Sequence, residues 1–248
     1  MERPRLDLTV VLRAFESERV HCCNFSSYIS KMNPFAPQYI PLSSLSQTPL
    51  AVIDKRFCAG YPLSLTVKEE ILSISRDDFS VYTNTGIPVF RCNGKVISLR
   101  QTKTISDQSG IPLVIMKNSL FPFHKKYRCY DAVGRKLFKI QSHFHLLPWK
   151  GTKMTVRLPI GKVVVQGNML DTNVPIMFYG NNTSSPLAIG RISRNLISLR
   201  GMVTNVNSYS LEIAAGVDGA FMTAICIALD EHRERGESRY GAIGDMMV

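Results

Sequence analysis

None of the six cysteines, Cys22, Cys23, Cys58, Cys92, Cys129 and Cys226, stands in a C-x-x-C pair. That removes the usual spacing of a zinc cage and of a disulfide framework, so reduced, mostly buried thiols are expected. The sequence holds no G-x-x-x-x-G-K-[ST] phosphate loop, no H-E-x-x-H helix and no Ser, His and Asp at a nucleophile's spacing. Neither an enzyme nor a cofactor is expected. The first twenty residues mix Arg3, Arg5, Arg13 and Arg19 with Glu2, Asp7, Glu16 and Glu18 around no apolar core. This fits neither a secretory signal nor an acid-poor transit peptide, and it makes the sequons at Asn24, Asn181 and Asn182 irrelevant in an intracellular protein. Acid is scarce overall: 19 Asp and Glu stand against 30 Lys and Arg, a formal net charge of +11.

What is present has the texture of a β protein. The 248 residues suffice for one sizeable domain, with 45% hydrophobic and 20% charged residues. Residues 1–47 carry Pro34, Pro37 and Pro41, which oppose regular helix and favour an extended, partly disordered arm. From about Leu50 short β-branched and aromatic runs alternate with turn residues, among them LSLTV, FSVYT, IPVFRC, IPLVIM, KLFKI, MTVRL and KVVVQ. Gly86, Gly110 and Gly134 recur every 24 residues, each at a turn and each before an apolar strand. A repeated two-strand hairpin is the expectation, since a tight hairpin needs a residue of positive φ.

One segment breaks this texture. From Ala214 to Leu229 the chain reads AAGVDGAFMTAICIAL, with Asp218 as its only charge. As a helix it has no polar face, so it must be surrounded. About sixteen residues span about 24 Å, short of a bilayer's roughly 30 Å core, and the following DEHRER is no basic stop-transfer cluster. Burial inside β structure is therefore preferred over a membrane span: an antiparallel barrel closed, or nearly so, around a helix. Val217, Ala220, Phe221, Ala224, Ile225, Ala228 and Leu229 are the expected buried helix positions, with Ala220, Ala224 and Ala228 forming a small-residue stripe beside a bulky one. Burying Phe221, Met222, Ile225, Ile227 and Leu229 contributes on the order of 10 kcal/mol.

The segments FCAGYPLSLTVKEEILSIS, FSVYTNTGIPVFRCNGKVISLRQTKTISDQSGIPLVIM and SLEIAAGVDGAFMTAICIALDE resemble the LURP-one-related family, best known from plants. The resemblance runs from about Pro49 to Glu234, and the G-V-D-x-A-F-x-x-A helix with its LDE ending is its most specific element. It implies the fold shared with tubby C-terminal domains and phospholipid scramblases. That fold is mainly β with one buried helix: a twelve-stranded antiparallel barrel enclosing a hydrophobic C-terminal α-helix. The expected organisation is an arm at 1–47, a barrel domain at 48–235 and a tail at 236–248. An interior filled by a helix leaves little room for an enzyme's deep pocket.

Charge supplies the candidate site. Between Lys117 and Lys162 lie eleven basic residues against one acid, Asp131. Alternation turns Phe138, Ile140, Met154, Val156 and Leu158 inward and Arg135, Lys139, Lys153 and Arg157 outward. The anionic-ligand candidates are Lys125, Lys126, Arg128, Arg135, Lys136, Lys139, Lys150, Lys153 and Arg157. Resemblance to tubby domains implies phosphoinositide binding, and the family implies a membrane-tethered transcription regulator in plant defence signalling. The expected protein is a monomer without a transmembrane span, cytoplasmic with peripheral plasma-membrane association, or nuclear. Two alternatives use the same face: a scaffold for protein partners, or a regulator that binds nucleic acid. Lipid scrambling is the weakest reading, because the cysteine-rich palmitoylation cluster and membrane-spanning terminal helix of that pattern are missing. His143 and His145 are two ligands of an incomplete metal site, so no metal is expected. Acylation of Cys22 or Cys23 lacks a supporting flank. His124 is read as a turn residue, and Trp149, the one tryptophan, as a plug at a strand end.

Overall fold

The computed structural model describes residues 40–70, 78–94, 102–119, 126–143, 152–167, 173–194 and 208–244. Within the compact unit Pro41–Val248 the strands are β1 (Leu63–Glu69), β2 (Phe79–Thr83), β3 (Pro88–Gly94), β4 (Thr102–Asp107), β5 (Pro112–Asn118) and β6 (Lys126–Tyr130). They continue with β7 (Lys136–His143), β8 (Thr152–Leu158), β9 (Gly161–Gly167), β10 (Asn173–Gly180), β11 (Leu187–Arg194) and β12 (Ser208–Ile213). Each strand pairs antiparallel with its sequence neighbour, and β12 returns to β1 with Leu65 opposite Leu211, closing a twelve-stranded barrel. Closure leaves no edge with unpaired amides. Alternation decides which side chains enter: Tyr127 and Cys129 of β6, Phe138 and Ile140 of β7, and Met154 and Val156 of β8 are all buried.

The 24-residue rhythm is a repeated hairpin. Gly86, Gly110 and Gly134 have φ of 82°, 78° and 86°. Their amides donate to the carbonyls of Thr83, Asp107 and Asp131 at 3.0, 3.1 and 3.1 Å. In each turn the side-chain oxygen of that same residue accepts from the amide four residues on: Ile87 at 3.1 Å, Ile111 at 3.0 Å and Arg135 at 2.8 Å. A register shift precedes each turn, at Val81/Tyr82, Ile105/Ser106 and Cys129/Tyr130, again 24 residues apart. A turn closed by a left-handed glycine and a bulge is one of the standard ways to reverse a twisted hairpin.

The helix α1 (Gly219–Gly244) follows β12. Every residue from Ile213 to His232 is buried, and Val217, Ala220, Phe221, Ala224, Ile225, Ala228 and Leu229 are at most 2% exposed. Phe138 of the wall meets Phe221 edge to face, with ring centroids 5.0 Å apart. Entry to the barrel is fixed by Asp218. Its Oδ2 accepts from the amides of Val52, Ile53 and Asp54 at 3.2, 2.7 and 3.1 Å, and its Oδ1 from Ala220 and Phe221 at 3.0 and 3.1 Å. One carboxylate thus caps the helix and pins a segment more than 160 residues earlier. Burial pushes this carboxyl up, and the amide donors oppose the shift.

The same segment closes the mouth through backbone pairing. Ser43 donates to Ala188, Leu45 to Ala215 and Leu50 to Gly216, while Gly216 donates to Ala59. Gly216 has φ of 81°, and a Cβ there would meet the Leu45 carbonyl at 2.3 Å. Only glycine fits. At the other mouth the helix carries buried charge: Glu231 pairs with Lys103 and accepts from the Tyr127 hydroxyl at 3.4 Å, and the Tyr209 hydroxyl donates to Asp230. Burial pushes the Asp230 carboxyl up to about 6. None of Cys58, Cys92, Cys129 and Cys226 is in a disulfide.

A basic row across five strands

Strand register gathers the cations of the basic block. Lys117 of β5 stands opposite Arg128 of β6, and Arg128 opposite Lys139 of β7. Ile140 faces Val156 across β7 and β8, which brings Lys139 level with Arg157. Arg157 in turn stands opposite Lys162 of β9. Five adjacent strands therefore contribute one cation each to a single row. At roughly 4.8 Å per strand the row spans about 19 Å.

These five residues point away from the helix because their sequence neighbours, such as Met116, Cys129, Ile140, Val156 and Val163, occupy the inward positions. Lys126, Lys136 and Lys153 flank the row on the same strands. Among the described residues no carboxylate forms an ion pair with any of the five. Aromatic faces bracket the row instead: the Lys117 ammonium lies 5.1 Å from the Tyr130 ring centre, and that of Lys162 lies 5.2 Å from Tyr179. Partial desolvation, together with the positive charge of Lys126, Lys136, Arg128 and Arg157, holds Lys139 below the ordinary lysine value. Like charges directly opposite each other on a sheet destabilise it. The row is a standing cost to the fold that a multivalent anion would relieve.

Other candidates fall elsewhere. Arg135 sits at the β6–β7 hairpin tip, its Nε donating to Asp131 Oδ2 at 2.7 Å, so its charge is already answered. Desolvation acts to raise the Asp131 carboxyl, but that guanidinium and the amides of Arg135 and Val133 together outweigh it and hold the group below the usual carboxylate range. Lys125, Lys150, His124, His145 and Trp149 lie outside the described residues, as do Cys22, Cys23 and the side chain of His143. Among the described residues no group of three metal-binding side chains occurs, and no helix is long and apolar enough to cross a membrane. Lys117 and Lys162, which mark the limits of the basic block in the sequence, become the two ends of the row. No pattern within one strand announces that alignment.

The family model described as LURP-one-related matches residues 63–230. The chain belongs to the LURP-one-related family. The match begins at the first residue of β1 and ends at Asp230, so it takes in the whole barrel and the enclosed part of α1. Among curated relatives, Protein LURP-one-related 15 of Arabidopsis thaliana is 21% identical over 73% of this chain and 84% of its own. Protein LURP1 of the same plant is 19% identical over 77% of this chain and 93% of its own. An Arabidopsis thaliana protein solved by X-ray diffraction superimposes with a TM-score of 0.51 at 17% identity, covering 73% of this chain and 97% of that one. That likeness establishes the barrel fold.

Proposed function

We propose that this LURP-one-related protein is a non-enzymatic, tubby-like binding module. It docks reversibly on membrane containing phosphoinositide through the row Lys117, Arg128, Lys139, Arg157 and Lys162, with Lys126, Lys136 and Lys153 beside it. The observation that carries the reading is the register itself: five cations stand level on five strands with no ion-pairing carboxylate among the described residues. A row about 19 Å long around the barrel wall exceeds one phosphate and can meet more than one head group. Regulation of plant defence, in which a tethered protein leaves the membrane on a signal, is the setting that the family resemblance suggests.

Magnitude constrains the mechanism. Each cation near an anionic membrane contributes about 1 kcal/mol, so five give about 5 kcal/mol, close to millimolar affinity. Diffuse attraction of that size is lost to screening as salt rises. A head group held by several charge-assisted hydrogen bonds resists screening better, which is why a phosphoinositide is favoured over bulk acidic lipid. Catalysis gains no comparable support, because the barrel axis is filled by Phe221, Met222, Ile225 and Leu229.

Flotation of the full-length protein with phosphatidylcholine vesicles, with and without phosphatidylinositol bisphosphate, tests the reading at low and physiological salt. Retention that needs the head group and survives physiological salt is expected. Retention that vanishes at physiological salt on every vesicle contradicts it, and equal salt-sensitive retention on DNA moves the row to nucleic acid.

A further inference from the structure

We infer that the protein meets an anionic bilayer tip first, with Val133 and Ile160 entering the layer beneath the head groups while the adjoining cations stay at the phosphates. This rests on the docking reading above, and adds to it an orientation and an apolar contact. Val133 is the tip of the β6–β7 hairpin and Ile160 that of the β8–β9 hairpin, 77% and 55% exposed. Both hairpins lead from an even-numbered strand to the next in an up-and-down barrel, so both tips project from the same end. They stand two strand spacings apart across the sheet, about 10 Å.

Exposed aliphatic residues taken singly are ordinary. These two are distinguished by a basic collar. Lys136 follows Val133 shortly after the turn glycine, and Arg157 and Lys162 flank Ile160, opposite one another in register. Apolar tips ringed by cations match the layering of a membrane surface, where acyl chains lie under phosphates.

Both tips are also held outward. Asp131 Oδ1 accepts from the Val133 amide at 3.1 Å and the Arg135 amide at 2.8 Å. Asn181 donates from its amide to the Ile160 carbonyl and from its side chain to the Pro159 carbonyl, each at 3.0 Å. The turns of the first two repeats provide a comparison inside the same molecule, with Ile87 and Ile111 standing where Arg135 stands in the third. They are 58% and 57% exposed, yet Pro88 and Pro112 follow them and neither turn holds a Lys or Arg. Nothing in those two turns draws them to an anionic plane.

The test uses full-length protein and vesicles of phosphatidylcholine with phosphatidylserine and phosphatidylinositol bisphosphate, against phosphatidylcholine alone, at physiological salt. Val133→Ser with Ile160→Ser is expected to weaken sedimentation with the anionic vesicles about tenfold, with an unchanged thermal melt. Ile87→Ser with Ile111→Ser is expected to leave it unchanged. Ile160→Trp gives an independent reading: its emission, above that of Trp149 in the parent, should shift to the blue and be quenched by brominated lipid. If the Val133 and Ile160 pair binds as the parent does while Arg128→Glu with Lys139→Glu abolishes binding, tip entry is wrong and docking stands. If neither set changes binding, both readings fall. The β2–β3 and β4–β5 turns project from the same end, so equal losses from the two serine pairs overturn the assignment of entry to the basic tips. A serine pair that removes self-association but not vesicle binding assigns the tips to a second copy of the chain and overturns the bilayer.

Discussion

At residues 86–88 and 110–112 the chain reads Gly-Ile-Pro, and at 134–136, in the same turn after the same bulge, it reads Gly-Arg-Lys. The three hairpins share a left-handed glycine, a carbonyl bond across the turn and a side-chain oxygen that accepts from the amide four residues on. With the backbone held constant, folding requirements cannot account for the change of surface residues. The first two repeats present Ile and Pro; the third opens a sector, β5 to β9, whose outer face is lined with cations. Scaffold and surface are therefore separable here: hairpin geometry specifies where a residue stands, and the sector it belongs to specifies the charge around it.

Both groups of hairpins depend on the same enclosed helix, so the largest effect is expected from the support they share. Asp218→Ala leaves five backbone amides at a buried site without their acceptor. At about 1 kcal/mol or more for each orphaned donor, the loss is roughly 5 kcal/mol, comparable to a domain's whole stability. Loss of the cooperative urea transition and of near-ultraviolet circular dichroism is the expected result. A variant that unfolds cooperatively near the parent's midpoint would detach the helix cap from the fold.

The next effect separates interior from surface by pH. Asp230 titrates near 6, its carboxyl raised chiefly by burial. Against an unfolded value of about 3.9 the native state holds this proton more tightly. Its contribution is therefore fully present below about pH 4 and is lost as pH rises through about 6. Asp230→Asn keeps an acceptor for Tyr209 and removes that loss. The variant should gain on the order of 2 kcal/mol over the parent between pH 4 and pH 7.5, read as the difference in urea midpoints. A difference that does not change with pH would place the titration elsewhere.

A smaller and sharper test addresses the likeness of the hairpins themselves. Alanine at Gly86, Gly110 or Gly134 forces a left-handed side chain with nothing within 4 Å of its Cβ. Each substitution should cost about 1 kcal/mol through backbone strain alone. The three losses in chemical denaturation should agree within about 0.5 kcal/mol. A Gly134 variant that departs from the other two would show that the third hairpin differs in its backbone as well as in its surface.

The architecture was readable because it rests on local signals: period-two alternation in the strands, turn glycines, and an apolar segment too uniform to face water. Phe138, Ile140, Met154 and Val156 are buried for that reason. Long-range relations carry no such signal. The Asp218 carboxylate finds Val52, Ile53 and Asp54, and the Lys103 ammonium meets Glu231 inside the barrel, pairings that nothing in either stretch of sequence indicates. The row was half readable. Composition showed a basic block, but the level placement of Lys117, Arg128, Lys139, Arg157 and Lys162 depends on register, and the bulge at Cys129/Tyr130 resets it. Arg135 shows the converse, an outward cation by alternation that Asp131 already holds.

Sedimentation with phosphatidylinositol bisphosphate vesicles at physiological salt decides whether the row is the docking site, comparing the triple variant Arg128→Glu, Lys139→Glu and Arg157→Glu with a control, Lys68→Glu and Arg91→Glu, on β1 and β3 outside the row. At least about 100-fold weaker binding is expected from the row variant, with little change from the control. Equal retention of both variants would contradict it and leave the row a solvated face.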